Sequence, residues 1–141
     1  MILYWFALPL AGGLGAVGRY KTEAIITRFL AARDLMPTKN KRSLVNLSAQ
    51  AWPILLVNIV GSFIAGLLVG PLASYPGLWL VVGVGFLGGW TTFSTALMDV
   101  LTISSNPNYA PQVRIPTGLF VAFMSMVICM LAALAGVVLT M

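Results

Sequence analysis

Three long stretches of this chain carry no charged residue, and they constrain the fold more than any other feature. They cover residues 1–18, 43–98 and 115–141. A membrane-crossing helix needs about 20 consecutive apolar residues, so the middle stretch has room for two. Only 8% of the residues are charged, against about 25% in an ordinary soluble domain. The pattern predicts an all-α membrane protein with four transmembrane helices.

The predicted spans form a single transmembrane domain over residues 1–141. They lie at about residues 2–29, 52–72, 78–102 and 115–141. The longest loop is the polar segment Ala31–Gln50, in which we expect an interfacial helical turn near Ser43–Ser48. Pro71–Gly77 is predicted as a turn, because proline and glycine interrupt regular structure. The polar segment Ser104–Pro111 separates the third span from the fourth.

The basic residues predict the orientation of the chain in the membrane. Seven of the eight lysines and arginines lie between Arg19 and Arg42, and the eighth is Arg114. All therefore belong to the first and third loops or to the helix end beside them. Loops rich in Lys and Arg stay in the cytoplasm, so we expect both termini outside, in a multi-pass protein of the cell membrane. The net charge of +5 is interpreted as this signal, and no nucleic-acid partner is expected.

Several kinds of chemistry are excluded by residue counts. The chain has no histidine and a single cysteine, Cys129, so it has neither a disulfide within the chain nor a site built on histidine. The segment Gly13–Gly18 matches the pattern G-x-G-x-x-G, but that pattern binds dinucleotides only between a strand and a helix of a parallel sheet. We interpret its glycines as helix-packing positions. An enzyme is not expected.

The third span contains an unusual segment, Gly83–Thr95. The adjacent Gly88 and Gly89 predict a break in the helix, which would free main-chain carbonyls at membrane depth. Such carbonyls are tolerated only where they are buried in protein, wetted or bound to a cation. Four hydroxyl side chains follow that can donate to an anion or bond back to the helix: Thr91, Thr92, Ser94 and Thr95. The alternative is a helix contact rich in glycine and threonine without a functional role.

Two further side chains have open interpretations. Asn58 lies within the second span, where an amide faces either another helix or a cavity. It either joins helices or contacts a ligand. Phe93 either packs against lipid or protein, or turns its ring edge, which carries partial positive charge, toward an anion.

Three segments together resemble the Fluc/CrcB fluoride channel family: Ala11–Tyr20, Val57–Gly66 and Gly85–Thr95. They occur in the order and spacing of that family and cover three of the four predicted helices. The resemblance implies a passive fluoride channel made of two antiparallel four-helix subunits. It also implies a structural sodium ion at the centre of the dimer, and fluoride resistance by export as the biological role.

The resemblance also implies roles for individual residues. Gly88 and Thr91 would offer main-chain carbonyls to sodium, and Asn58 would donate its amide to fluoride. Phe93 would supply a ring edge, and Ser125 a hydroxyl on the fourth helix. Arg19 would lie in the aqueous vestibule. The hydroxyls of Ser94 and Thr95 complete the predicted fluoride pathway.

Three positions depart from the family pattern. Ala96 replaces a phenylalanine, Val121 a tyrosine and Leu131 a threonine. A chain with one fixed orientation cannot pair antiparallel with itself, so the charge asymmetry predicts a heterodimer with a homologous, oppositely oriented subunit. One of the two pores would then be degraded. A homodimer is the alternative.

Two other functions are considered. A small proton-coupled multidrug exporter also has four helices, but it needs a carboxylate within the membrane, and the first helix offers only Glu23 at its polar end. A non-conducting partner subunit is favoured by Ala96, Val121 and Leu131. It is disfavoured by the presence of Asn58 and Phe93.

Overall fold

The computed structural model of the chain describes residues 2–33, 51–105 and 111–141. Within these ranges the fold is helical and contains no strand. Numbered along the chain, the helices are α1 (Ile2–Ala32), α2 (Ala51–Leu72), α3 (Pro76–Trp90), α4 (Ser94–Ser104) and α5 (Pro111–Val138). The all-helical prediction is confirmed for this part of the chain, with α3 and α4 together forming the third of four helical segments. The turn predicted near residues 43–48 lies outside the described residues.

Two helices in the described ranges are long and apolar enough to cross a membrane, Trp52–Leu72 and Ile115–Val138. Their mean hydropathies are 2.2 and 2.5, yet only 22% and 11% of their most apolar windows are buried within the chain. Apolar surface left exposed in this way needs lipid or another protein to cover it. Helix α1 has 31 residues, a length of about 46 Å.

The third segment changes its helical pitch and then stops. Helix α3 is α-helical at Pro76–Trp79, π-helical at Leu80–Leu87 and α-helical again at Gly88–Trp90. Thr91 has an extended backbone, with φ −83° and ψ 157°, and α4 begins at Ser94. We call the non-helical residues 91–93 the interruption. The sequence predicts the break at Gly88 and Gly89, but both glycines are helical and the interruption follows them.

Helix α1 packs against α3 through glycine. A Cβ atom on Gly85 would lie 2.9 Å from the Cβ of Ala11, and one on Gly89 would overlap the main chain of Gly12. Two backbones approach this closely only where side chains are absent. Gly13 differs, because no atom lies within 4 Å of the position that its Cβ would occupy. Of the glycines in the Gly13–Gly18 pattern, this one is therefore not explained by packing within the chain.

Helix α2 packs lengthwise against α5. Gly66 lies against the main chain of Ala133, and Gly136 lies against the carbonyl of Phe63. These glycines allow the main chains of α2 and α5 to approach closely. Val57, which directly precedes Asn58 on α2, is fully buried at 1% exposure.

Candidate functional site

A groove of about 260 Å³ lies where α2, α5 and the interruption meet. Its lining residues are Asn58, Ser62, Gly88, Thr91, Thr92, Phe93, Ala122, Ser125, Met126 and Cys129. The groove thus brings together, from three different spans, five residues to which the resemblance assigns a role: Asn58, Gly88, Thr91, Phe93 and Ser125. A concave, mostly apolar surface with a few convergent polar groups is the usual form of a ligand site.

The side chain of Asn58 binds the main chain of Thr92 at both of its polar atoms. Its Nδ2 donates to the Thr92 carbonyl at 2.8 Å, and its Oδ1 accepts from the Thr92 N–H at 2.8 Å. The two residues are 34 positions apart. Sequence analysis left two roles open for Asn58, joining helices or contacting a ligand. The structure shows the first, because Asn58 joins α2 to the interruption of the third segment. Because an amide nitrogen carries two hydrogens, one remains after the bond to Thr92.

Thr91 makes the last main-chain hydrogen bond of α3. Both its main-chain N–H and its hydroxyl donate to the carbonyl of Leu87, each at 2.8 Å. In a continuous helix the next N–H, that of Thr92, would bond to the carbonyl of Gly88. Here that N–H is taken by Asn58. The carbonyl of Gly88 has therefore lost its helical donor.

Two hydroxyls meet at the start of α4. Thr92 Oγ1 and Ser94 Oγ lie 2.8 Å apart and share one hydrogen bond. Two hydroxyls supply two hydrogens, so this pair keeps one for another acceptor. Thr95 follows in the first turn of α4, and its side chain lies outside the described residues.

Ser125 and Phe93 line the groove from different helical segments. Ser125 donates its hydroxyl to the carbonyl of Val121, four residues earlier on α5, at 2.9 Å. It would have to rotate this hydrogen away before donating to an ion. The ring of Phe93 is 60% exposed, so it lies at the open side of the groove and does not fill the protein interior.

The groove also contains residues that the sequence analysis missed. Ser62 lies one helical turn beyond Asn58, and Cys129 one turn beyond Ser125. A hydrogen bond joins the Ser62 side chain to Cys129. Residues four apart share one face of a helix, so this spacing could have identified both of them from the two predicted positions.

Arg19 is not among the residues that line the groove. It lies on α1, where its Nε is 3.8 Å from the carboxylate of Glu23. Each side chain of this pair is 26% exposed. The structure thus pairs Glu23, the one acidic residue of α1, with Arg19. Neither residue lines the groove that contains Asn58.

Trp90, the last residue of α3, connects the interruption to α1. Its indole Nε1 donates to the hydroxyl of Thr22 at 3.4 Å, and that hydroxyl donates to the carbonyl of Gly18 at 2.8 Å. On the other side, the Trp90 ring and the methyl group of Thr91 lie against Gly61 of α2. Trp90 and Thr91 therefore hold the start of the interruption between α1 and α2.

Comparison with known proteins places this arrangement in a family. The profile described as "CrcB-like protein, Camphor Resistance (CrcB)" matches residues 6–137, which is nearly the whole chain. The chain belongs to the CrcB family. This match confirms the resemblance predicted from three sequence segments. The matched range also contains all the lining residues of the groove.

Relatives match this chain over most of its length. A protein of Hahella chejuensis named "Fluoride-specific ion channel FluC" is 32% identical over 94% of this chain and 91% of its own. One of Idiomarina loihiensis with the same name is 28% identical over 99% and 93%. "Fluoride-specific ion channel FluC 1" of Leifsonia xyli subsp. xyli is 32% identical over 85% and 77%. No solved structure matches the chain significantly.

Proposed function

We propose that this chain is a subunit of a fluoride-selective channel that lets fluoride leave the cell passively. The observation that supports it most is the groove, where an asparagine amide and a broken helix meet within an apolar protein. The named functions of its relatives agree with this proposal. No covalent chemistry or nucleotide is needed, because an inside-negative potential drives an anion outward with about 2.3 kcal/mol per charge per 100 mV.

The groove offers the donors that a small anion needs. Fluoride is strongly hydrated, so a path through a membrane must replace its water by short hydrogen bonds. Asn58 keeps one amide hydrogen after binding Thr92, and the Thr92–Ser94 pair keeps one hydroxyl hydrogen. The ring edge of Phe93 adds a weaker positive potential at the open side. A larger halide would need more space at the same donors and would be selected against.

A structural sodium ion is compatible with the residues at the end of α3. The Gly88 carbonyl lacks its helical donor, because Thr92 donates to Asn58 instead. Carbonyl oxygens are hard ligands that suit hard cations, and Gly88 and Thr91 would hold the ion through these atoms. When bound, sodium would supply positive charge that compensates main-chain oxygens at membrane depth.

A second subunit is proposed to cover the exposed face of α3. Gly88 is exposed, and no atom lies within 4 Å of the position that its Cβ would occupy, so packing within the chain does not require glycine here. A partner backbone that approaches Gly88 would require it. Because all basic residues belong to the proposed cytoplasmic side, the partner would be a homologous subunit of opposite orientation. The number in the name "FluC 1" of one relative fits the existence of paired copies.

The alternatives are less well supported. A proton-coupled exporter would use Glu23, but this carboxylate is paired with Arg19 and does not line the groove. A non-conducting subunit would follow from Ala96, Val121 and Leu131. The side chain of Ala96 lies outside the described residues, and neither Val121 nor Leu131 lines this groove.

The proposal is tested by fluoride efflux, recorded with an electrode, from liposomes that contain this chain together with a homologous subunit of opposite charge asymmetry, for the wild type and for Asn58→Asp. A carboxylate in the path repels the anion, so the variant should lose fluoride efflux while it folds and inserts normally. Efflux from Asn58→Asp at the wild-type rate would remove Asn58 from the pathway. Growth of fluoride-sensitive cells that express either protein provides a second readout.

A further inference from the structure

Asn58 forms an unusual pair of hydrogen bonds for a membrane asparagine. Its two polar atoms bind the N–H and the C=O of one residue, Thr92, both at 2.8 Å. These are main-chain groups that the interruption has taken out of the helical hydrogen-bonding pattern. Unsatisfied main-chain groups are costly in the hydrocarbon region. The amide of Asn58 thus replaces two helical bonds with two bonds from another helix.

The same two bonds prevent α3 from continuing. For the helix to extend past Thr91, the Thr92 N–H would have to donate to the Gly88 carbonyl. Asn58 Oδ1 competes for that hydrogen and holds it. Thr91 already uses its N–H and its hydroxyl on Leu87, so it cannot compensate at Gly88.

We infer that Asn58 is a positioning residue that holds the third segment open, in addition to any contact with the ion. Its carbonyl keeps Thr92 away from Gly88, and the nitrogen that binds Thr92 keeps one hydrogen for the groove. Removal of the amide would let Thr92 bond to Gly88 and extend α3. The link to ion flux rests on the proposed function, whereas the role in holding the interruption does not.

The structural part is tested by the ¹³C chemical shifts of threonine-labelled protein in lipid nanodiscs. Thr91 has an extended backbone in this structure, and extended and helical threonines have distinct Cα and Cβ shifts. In Asn58→Leu the shifts of Thr91 and Thr92 should move to helical values. In Asn58→Asp the Thr91 shifts should stay extended, because one carboxylate oxygen still accepts the Thr92 N–H, although the bond to the Thr92 carbonyl is lost. Ser62→Ala, one turn along α2 and without a described contact to Thr92, is the matched control and should leave these shifts unchanged.

A rescue experiment separates positioning from ion contact. Proline at position 92 has no N–H to give to Gly88, and Thr91 already has the extended conformation that a residue before proline requires. The double variant Asn58→Leu/Thr92→Pro should therefore keep the interruption without Asn58. Fluoride efflux should fall in Asn58→Leu by more than the roughly tenfold expected for a lost hydrogen bond to an ion, because the interruption is lost as well. In the double variant only the part due to the lost interruption should recover, up to a level below that of Thr92→Pro alone, which keeps Asn58.

Each result supports or overturns the inference. Extended threonine shifts in Asn58→Leu would overturn it, whatever the flux. Helical shifts in Asn58→Leu, together with no recovery of flux in the double variant while Thr92→Pro alone conducts, would keep the structural role and attribute the lost conduction to the missing amide donor. If Asn58→Leu does not fold, the smaller change Asn58→Ala replaces it with the same expected shifts. If the wild-type chain with its partner subunit shows no fluoride efflux while Asn58→Leu shows these shift changes, the proposed function is rejected and the inference is retained.

Discussion

Gly15 of α1 lies directly against the main-chain carbonyl of Phe86, inside the π-helical part of α3. A Cβ atom at this position would overlap that carbonyl and would come within 2.9 Å of the Trp90 nitrogen. Main-chain atoms at the end of a helix cannot move aside as a flexible side chain can. The path of α3 just before the interruption therefore depends on a glycine of another helix.

Substitution of this glycine should destabilise the protein. We expect Gly15→Ala to lower the free energy of unfolding in detergent by about 1–3 kcal/mol, the usual cost of overpacking. Gly13→Ala is the matched control, because no atom lies within 4 Å of its Cβ position. This control should unfold like the wild type or slightly later, since alanine favours helix by about 1 kcal/mol over glycine. Equal stability of the two variants would contradict the packing described for α1 and α3.

Phe93 should matter for conduction and not for stability. Its ring is 60% exposed and lines the groove, so Phe93→Leu should change the free energy of unfolding by less than about 0.5 kcal/mol. The same variant should lower the rate of fluoride efflux, because the ring edge with its partial positive charge is removed. Phe123→Leu is the control, since Phe123 is 54% exposed on α5 and does not line the groove. An effect on efflux as large as that of Phe93→Leu would contradict this account.

Cys129 reports whether the groove contains water. It is the single cysteine of the chain and lines the groove, so a small charged methanethiosulfonate reagent should label it and reduce fluoride efflux. Thiols react as thiolates, which form in water and not in lipid. Cys129→Ala should be insensitive to the reagent. Unlabelled wild-type protein in liposomes that conduct fluoride would show that the ion takes another route.

The orientation can be measured in the Cys129→Ala background with single introduced cysteines. Tyr75 lies exposed between α2 and α3, on the proposed outer side, and Arg33 follows α1 on the proposed cytoplasmic side. A reagent that cannot cross the membrane should label Tyr75→Cys in intact cells and Arg33→Cys only after the cells are opened. Substantial labelling of both in intact cells would indicate mixed orientation, and the argument for a heterodimer would fail.

The fold class could be predicted from the sequence because it depends on local composition. Uncharged stretches long enough to span a bilayer predict helices whatever their partners. The interruption is harder to locate, because Gly88 and Gly89 are both helical and the interruption follows them. What ends α3 is the bond from Thr92 to Asn58, 34 residues away, and no local pattern contains it.

The sequence predicts only part of the groove, because its lining comes from segments that are distant in the chain. Asn58, Phe93 and Ser125 were found from motif resemblance, and the structure brings them together. Ser62 and Cys129 follow from helical spacing once the first positions are known. Arg19 has the expected charge but pairs with Glu23 on its own helix, and the sequence alone does not distinguish that pairing from a position in a vestibule.

The central claim is that this groove conducts fluoride and excludes larger anions. The most direct test is to record fluoride and chloride efflux from liposomes that contain this chain, alone and with a homologous subunit of opposite charge asymmetry. The account predicts fast fluoride efflux and no chloride efflux from the pair, with much slower fluoride efflux from the chain alone. Fluoride efflux from the pair no faster than from empty liposomes, or chloride efflux of comparable rate, would contradict it.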